Sequence, residues 1–582
     1  MNDDTDHLLH LGATQSGKGL LLDPTVRQTH MHVLGASGRG KSYFLEHLIR
    51  QDIDHGHGLC LIDPHGTLYH KIVAWCAAKP AARSWDKLIL LDASAEGWTF
   101  GFNPLDFGGV DIAFAVDSMV SAVAQVWGGE DTNKTPTLKK VLRGVFHVLA
   151  AQGLTLLEAP YLLDERPESR PRRERLTRDL ADPLIRDLWA GWNQLKPHEF
   201  RDLFASSVNR LLEFLAAPRV RSIIGQKEWT IDLRNIMDEG GIVLVNLEAR
   251  GRLSEANART LGTLLTHDLF LRAQGRPEGS RPFYVYIDEC GRYLNESIQR
   301  ILDESRKRGL HLILANQHLA QLRAAGDTVY SAIMTDAQTK VIFGGLATED
   351  AETLVKEVFL DLNLEEPKHA LTRQVAVGQE AVILHSGSSG RGATTGHART
   401  RASSTSTSTG TSTGESESES RTRYPDATES EIATGAWGVS ASTTTSESYS
   451  SSEAETESEA ASVTEMTGWA ESFKTRYADA ITPYTLEEQR YKKVAWLKKQ
   501  PRQMALLVQP DFSLIPFRVA TVTAPPVLPG KLARFVERRR EALPFVQSDA
   551  ESARCIEARR RALQQRLGGP DEIREIDPYG ND

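Results

Sequence analysis

Eight consecutive residues constrain the fold of this chain more than any others: Gly35-Ala36-Ser37-Gly38-Arg39-Gly40-Lys41-Ser42. They fit the Walker A pattern Gly-x-x-x-x-Gly-Lys-Ser. An apolar run, Met31-His32-Val33-Leu34, precedes the loop, and an amphipathic stretch from Tyr43 to Arg50 follows it. The loop is therefore expected to join a buried strand to a helix. Glycines let the backbone curl so that N–H groups point at phosphate oxygens. The positive end of the following helix faces the same charge. Lys41 is placed to reach the outer phosphates of ATP, and the Ser42 hydroxyl to ligate Mg2+. A near-copy, Gly12 to Gly19, has the glycines and a lysine but ends in Gly19. It lacks the Mg2+-binding hydroxyl and reads as a hairpin turn.

Short apolar runs with little polar alternation recur at Leu59–Ile62, Leu88–Leu91, Ile242–Val245, Tyr284–Ile287 and Leu312–Leu314. Such runs are how buried parallel strands read. Separated by helical stretches, they imply an α/β sheet, here a RecA-like P-loop NTPase core. Between about 110 and 225 the strand-like runs vanish. Ile112 to Trp127, a helix starting at Pro136, and stretches near Leu176 to Leu195 and Phe200 to Ala216 read as an all-helical insertion. The expected division is 1–109 for the first part of the core, 110–225 for the insertion and 226–385 for the second part of the core. Residues 386–462, rich in Ser, Thr and Glu, carry too little apolar surface to fold and are expected to be disordered. Residues 463–582 read as a small α/β region returning to the core, with a strand at Met504–Val508, another at Phe517–Ala520 and a charged helical tail.

The run Phe283 to Ile287 ends in Asp288-Glu289. An apolar strand ending in two acids, downstream of a full phosphate loop, is a Walker B arrangement. Asp288 is expected to hold Mg2+ and Glu289 to polarise the attacking water as general base. The strand after it ends at Asn316-Gln317, so Gln317 is a candidate contact for the γ-phosphate or that water.

Bulk properties narrow the setting. The formal net charge is -9, so no overall basic surface advertises nucleic acid, although a basic cleft would not register in the sum. The four cysteines are scattered without a CxxC pair, which leaves no sign of zinc or a disulfide framework. The acidic N-terminus is unlike a signal peptide, and the most apolar stretch carries Asp117. The reading is a cytoplasmic protein with no membrane span of its own.

Taken in order, the Walker A loop, Asp63-Pro64-His65-Gly66, Phe102-Asn103-Pro104-Leu105, Asp288-Glu289 and Ser305 to Gln317 resemble the HerA/FtsK superfamily. Within it the chain is most similar to the TraG/TraD-like coupling proteins of type IV secretion. The stretch from Asp238 to Leu247, followed by Gly251-Arg252-Leu253, is also similar to that branch. The resemblance implies a homo-hexameric ring that pumps DNA with ATP and Mg2+ and works with a membrane-bound secretion or relaxosome partner. It implies phosphate contacts from Lys41 and Ser42, a nucleotide-side position for Asp63, a Walker B pair in Asp288 and Glu289, and a sensor in Gln317. It also implies a trans arginine finger, with Arg250, Arg252, Arg306 and Arg308 as candidates. Two alternatives share these motifs: an ATPase that powers protein secretion, and a soluble HerA-like DNA-processing ATPase.

Overall fold

In a computed structural model the described residues are 8–79, 83–127, 135–295, 298–360, 367–395, 410–419, 435–444 and 459–567. Its strands in chain order are β1 (Leu9–Thr14), β2 (Gly19–Leu22), β3 (Met31–Leu34), β4 (Gly58–Asp63), β5 (Leu88–Asp92), β6 (Trp98–Phe100), β7 (Ile242–Asn246), β8 (Phe283–Ile287), β9 (Leu310–Asn316), β10 (Thr339–Phe343), β11 (Pro367–Thr395), β12 (Gly410–Glu419), β13 (Gly435–Thr444), β14 (Glu459–Pro483), β15 (Met504–Val508), β16 (Leu514–Val519) and β17 (Val546–Ser548). The chain forms two compact units, one of residues 1–361 with 490–582 and one of residues 362–489.

The first unit is built on one eleven-stranded sheet of order β2-β1-β16-β15-β10-β3-β9-β8-β4-β7-β5. From β10 to β5 every neighbouring pair is parallel. From β10 to β2 every pair is antiparallel. The parallel strands β3, β4, β7, β8 and β9 are buried at every residue. Helices must therefore cover both faces, because successive side chains point to opposite sides. Along β4, Leu59 and Leu61 join a core with Phe44, Leu45 and Ile72, whereas Cys60 and Ile62 join one with Met119 and Leu264. All six apolar runs expected to be strands are strands. The loop at Gly12 to Gly19 is the turn between β1 and β2, closed by Thr14 N–H to the Lys18 carbonyl at 2.8 Å.

Between β6 and β7 the described residues contain no strand. Helices Ile112–Trp127, Thr135–Ala151 and Pro197–Ala216 dominate this stretch. The helical stretch near Leu176 to Leu195 holds two helices, Arg170–Thr177 and Pro183–Asn193. The break has a local cause: Asp182 accepts from the N–H groups of Leu184 and Ile185, and Pro183 occupies the first turn. Among the described residues no single helix is long and apolar enough to cross a membrane.

Below the sheet, Arg27 is buried against Asp52, 2.8 Å away, and lies over the Tyr284 ring at 3.4 Å. It also donates to the Tyr286 hydroxyl, which in turn donates to Asp52. This cluster ties the helix after the phosphate loop (Lys41–Asp54) to the strand that carries the two acids.

The second unit holds a four-stranded antiparallel sheet of order β11-β14-β13-β12. Within the tract 386–462, expected to be disordered, the described residues lie in these extended strands; the stretches 396–409, 420–434 and 445–458 fall outside the described residues.

Candidate functional site

The carboxyl ends of the parallel strands present a polar row: Asp92 of β5, Asn246 of β7, Asp63 of β4, Asp288-Glu289 past β8, Asn316 of β9 with Gln317 just past it, and the Gly35 loop past β3. This edge is where ligands bind in open α/β sheets. The strand order puts β9 between the phosphate-loop strand and the acid-bearing strand, with Leu34 paired to Asn316 and Ile287 to Leu314.

The loop is shaped by close backbone approach. A Cβ at Gly35 would lie 2.4 Å from Cβ of Phe343, so the loop can leave β3 beside β10 only as glycine. Gly40 has φ of 127° and leads directly into the helix Lys41–Asp54. On its other side the loop is braced by the segment before β15, where Gln503 N–H donates to the Arg39 carbonyl at 2.8 Å. Lys41 is buried and its ammonium donates to the Gly35 carbonyl. Burial pushes its pKa down, partly offset by the charges of Asp288 and Glu289. A desolvated ammonium at the start of a helix that follows a glycine-rich loop is suited to a polyphosphate. Ser42 is half-buried in the first turn of the helix.

Asp288 is 8% exposed, and its carboxyl is pushed up to about 7. Burial is the main cause, followed by the neighbouring charges of Glu289 and Asp63, with Lys41 working against them. A site that penalises its own carboxylates is one that a divalent cation would relieve. No cluster of three metal-ligating side chains exists among the described residues. Mg2+ is typically held by one or two carboxylates and the substrate phosphates, a role for which Asp288 and the Ser42 hydroxyl are the residues at hand.

Glu289 adopts φ of 49°, in the left-handed region, and is 3% exposed. Such a backbone in a non-glycine residue is costly and concentrates at functional sites. Its carboxylate is held by two side-chain amides: Gln317 donates to Oε1 at 2.6 Å and Gln321 donates to Oε2 at 2.7 Å. Each bond to a charged acceptor is worth about 1.5–3 kcal/mol, which offsets much of the cost of burying the charge. The structure thus brings Gln317 to Glu289. Gln321 went unread in the sequence because a glutamine in the first turn of a helix carries no signal of its own.

Asp63 is 1% exposed and spends both oxygens on its own turn, accepting from His65 N–H and Tyr69 N–H at 2.9 Å each. It shapes the Asp-Pro-His-Gly turn, and its charge reaches Asp288. Of the four arginines, Arg252 is bound to Asp549 at 2.8 Å and Arg308 donates to the Arg276 carbonyl. Arg250 and Arg306 are exposed, with no side-chain partner among the described residues.

Sheet order, phosphate loop and paired acids together define a RecA-like P-loop NTPase core. Residues 282–358, from β8 through β10 to the helix Thr348–Val358, match the family described as the TraM recognition site of TraD and TraG. The resemblance to TraG/TraD-like proteins is therefore borne out over the segment that carries Asp288, Glu289 and Gln317. Among solved structures, a bacterial conjugative coupling protein, TrwBdeltaN70 in an unbound form, aligns with 14% identity and a TM-score of 0.46, covering 89% of this chain and 91% of that one. Plasmid coupling protein TrwB in complex with the non-hydrolysable ATP analogue ADPNP aligns with 17% identity and a TM-score of 0.41, covering 60% and 78%. VirB4 of Thermoanaerobacter pseudethanolicus aligns with 14% identity and a TM-score of 0.37, covering 62% and 90%. No curated protein is detectably similar in sequence.

Proposed function

We propose that this chain is an ATP hydrolase of the type IV secretion coupling kind, a motor that moves DNA through a homo-hexameric ring. The observation that carries this is the buried Glu289, held by Gln317 and Gln321 beside Asp288, at the sheet edge that also bears Lys41 and the Gly35–Ser42 loop. ATP would lie with its β- and γ-phosphates on the loop N–H groups and Lys41. Mg2+ would be held by Ser42 and, directly or through water, by Asp288, and would neutralise developing charge. Glu289 orients the water, and Gln317 is placed to exchange its bond to Glu289 for one to the γ-phosphate or that water. Arg250 and Arg306, exposed and without a side-chain partner among the described residues, are the arginines best suited to reach a neighbour's nucleotide. The match at 282–358 supports a relaxosome-type or membrane-bound secretion partner docking on this half of the core.

The test is ATP turnover by wild type and Glu289→Gln, each with double-stranded DNA, single-stranded DNA or neither. Wild type should turn over faster with DNA. The variant should bind ATP but lose on the order of 100-fold or more in turnover, the range for removing a general base. Normal turnover by Glu289→Gln would remove the catalytic assignment. Equal rates with and without DNA would favour a protein cargo.

A further inference from the structure

The two amides that hold Glu289 are not equivalent. Gln317 has one side-chain partner among the described residues, Glu289 itself. Gln321 is fixed at both ends of its amide. Its nitrogen donates to Glu289 Oε2 at 2.7 Å, while its oxygen accepts from the backbone N–H of Gln317 at 2.9 Å and of His318 at 3.2 Å. Those two N–H groups open the helix Leu319–Ala325, so the Gln321 oxygen doubles as its cap. The helix is pressed onto the turn after Glu289: a Cβ at Gly291 would lie 2.7 Å from the Gln321 carbonyl oxygen.

A group bonded at both ends cannot follow a moving partner, whereas a group bonded once can let go. Gln317 can turn toward a phosphate without breaking any other side-chain bond. Gln321 cannot release Glu289 without rotating an amide that two backbone donors hold in place. From this asymmetry we infer that Gln321 is a positioning residue for hydrolysis: it anchors Oε2 of Glu289, so that Oε1 is the oxygen left to face water once Gln317 swings away. The anchor and the release then sit four residues apart, on one short helix and the loop before it. Any partner that shifts this helix would re-aim the base. The inference rests on the hydrolase reading above.

His318→Ser/Gln321→Met separates the two jobs of this side chain, because a serine at the N-cap accepts from the first-turn N–H groups of the helix while no donor to Glu289 remains. Gln321→Met removes both. Steady-state ATP turnover with DNA, the Kd for a non-hydrolysable ATP analogue and the melting temperature would be measured for both variants, wild type and Glu289→Gln. Misaiming a catalytic group by about 1 Å costs on the order of 100-fold. The expected result is that His318→Ser/Gln321→Met loses roughly tenfold or more in kcat, with analogue Kd and melting temperature near wild type. Gln321→Met should lose turnover similarly and melt lower, through the lost cap. His318→Ser/Gln321→Met turnover within twofold of wild type, or above it, would overturn the assignment. So would a fall in analogue affinity and melting temperature that tracks the fall in kcat, which is what a purely structural role gives. A wild type that hydrolyses nothing with any DNA fails the hydrolase reading instead. An active wild type and an inactive Glu289→Gln leave that reading standing whatever the Gln321 variants do.

Discussion

The two halves of the large sheet divide the labour. The parallel half, β10 to β5, carries every candidate catalytic group at its carboxyl edge. The antiparallel half, β2 to β15, carries none of them, yet it packs against the phosphate-loop helix and braces the loop itself. Phe517 of β16 lies 6.2 Å from the Phe44 ring on that helix, and Phe44 in turn meets Phe343 of β10. Chemistry is concentrated where parallel strands end together and leave unpaired backbone and loop residues on one side. Rigidity is supplied by strands that contribute only packing and backbone hydrogen bonds. The difference teaches that loss of function and loss of stability should come from different halves.

Substitutions can break or sharpen that contrast. The largest expected effect on folding is in the antiparallel half. Phe517 is fully buried, and Phe517→Ala should cost roughly 3–5 kcal/mol in denaturant unfolding while leaving all site residues in place. A cost under 1 kcal/mol would mean that this half is not a brace. Next in size is Lys41→Ala, which should weaken ATP binding on the order of 100-fold, about 2–3 kcal/mol, by removing the buried ammonium proposed to hold the phosphates. Because burial works against the Lys41 charge, the nucleotide-free variant should melt no lower than wild type. A large drop would mean that the lysine is structural as well.

The smallest effect concerns pH. His267, on the helix Glu255–Gln274 over the parallel half, is buried, and burial pushes its pKa down from 6.5 to about 4. The folded state therefore favours the neutral ring. The stability this contributes is fully present above about pH 6.5 and is lost as pH falls toward 4. In thermal melts, His267→Leu should flatten the acid side of the profile across that window; an unchanged slope would assign the acid sensitivity to other groups. His32, buried on β3 and also pushed down to about 4, would be the next to examine.

Much of the parallel half was legible in the sequence because a strand buried on both faces must be apolar throughout, and a phosphate loop needs its glycines, lysine and hydroxyl at fixed spacing. Gln317 was legible as a polar residue ending such a strand. β10 was harder: Thr339-Lys340-Val341-Ile342-Phe343 mixes polar and apolar residues. The second amide on Glu289 was not legible at all, since Gln321 reaches its partner only through folding of the loop between them. Nor was the commitment of Asp63, whose oxygens go to the backbone two and six residues later, or the burial of Arg27, a charge whose partner Asp52 lies on a different helix. Pairing between chain ends leaves no periodic signature. Nothing near Gly12 announces that it lies beside Val519.

That last pairing has a consequence for how the protein is made. β1 bonds to β2 on one side and to β16 on the other, so during synthesis this hairpin waits for residues some 500 positions downstream. At bacterial or eukaryotic synthesis rates of about 5–20 residues per second, that wait lasts roughly 25–100 s. Meanwhile the phosphate loop lacks its brace from Gln503, and β10, once made, is an open strand edge until β15 follows. An unfinished chain of this kind is a stranded intermediate with a sticky flank, and a truncated product would be a target for chaperones and proteases before it could ever hold a nucleotide.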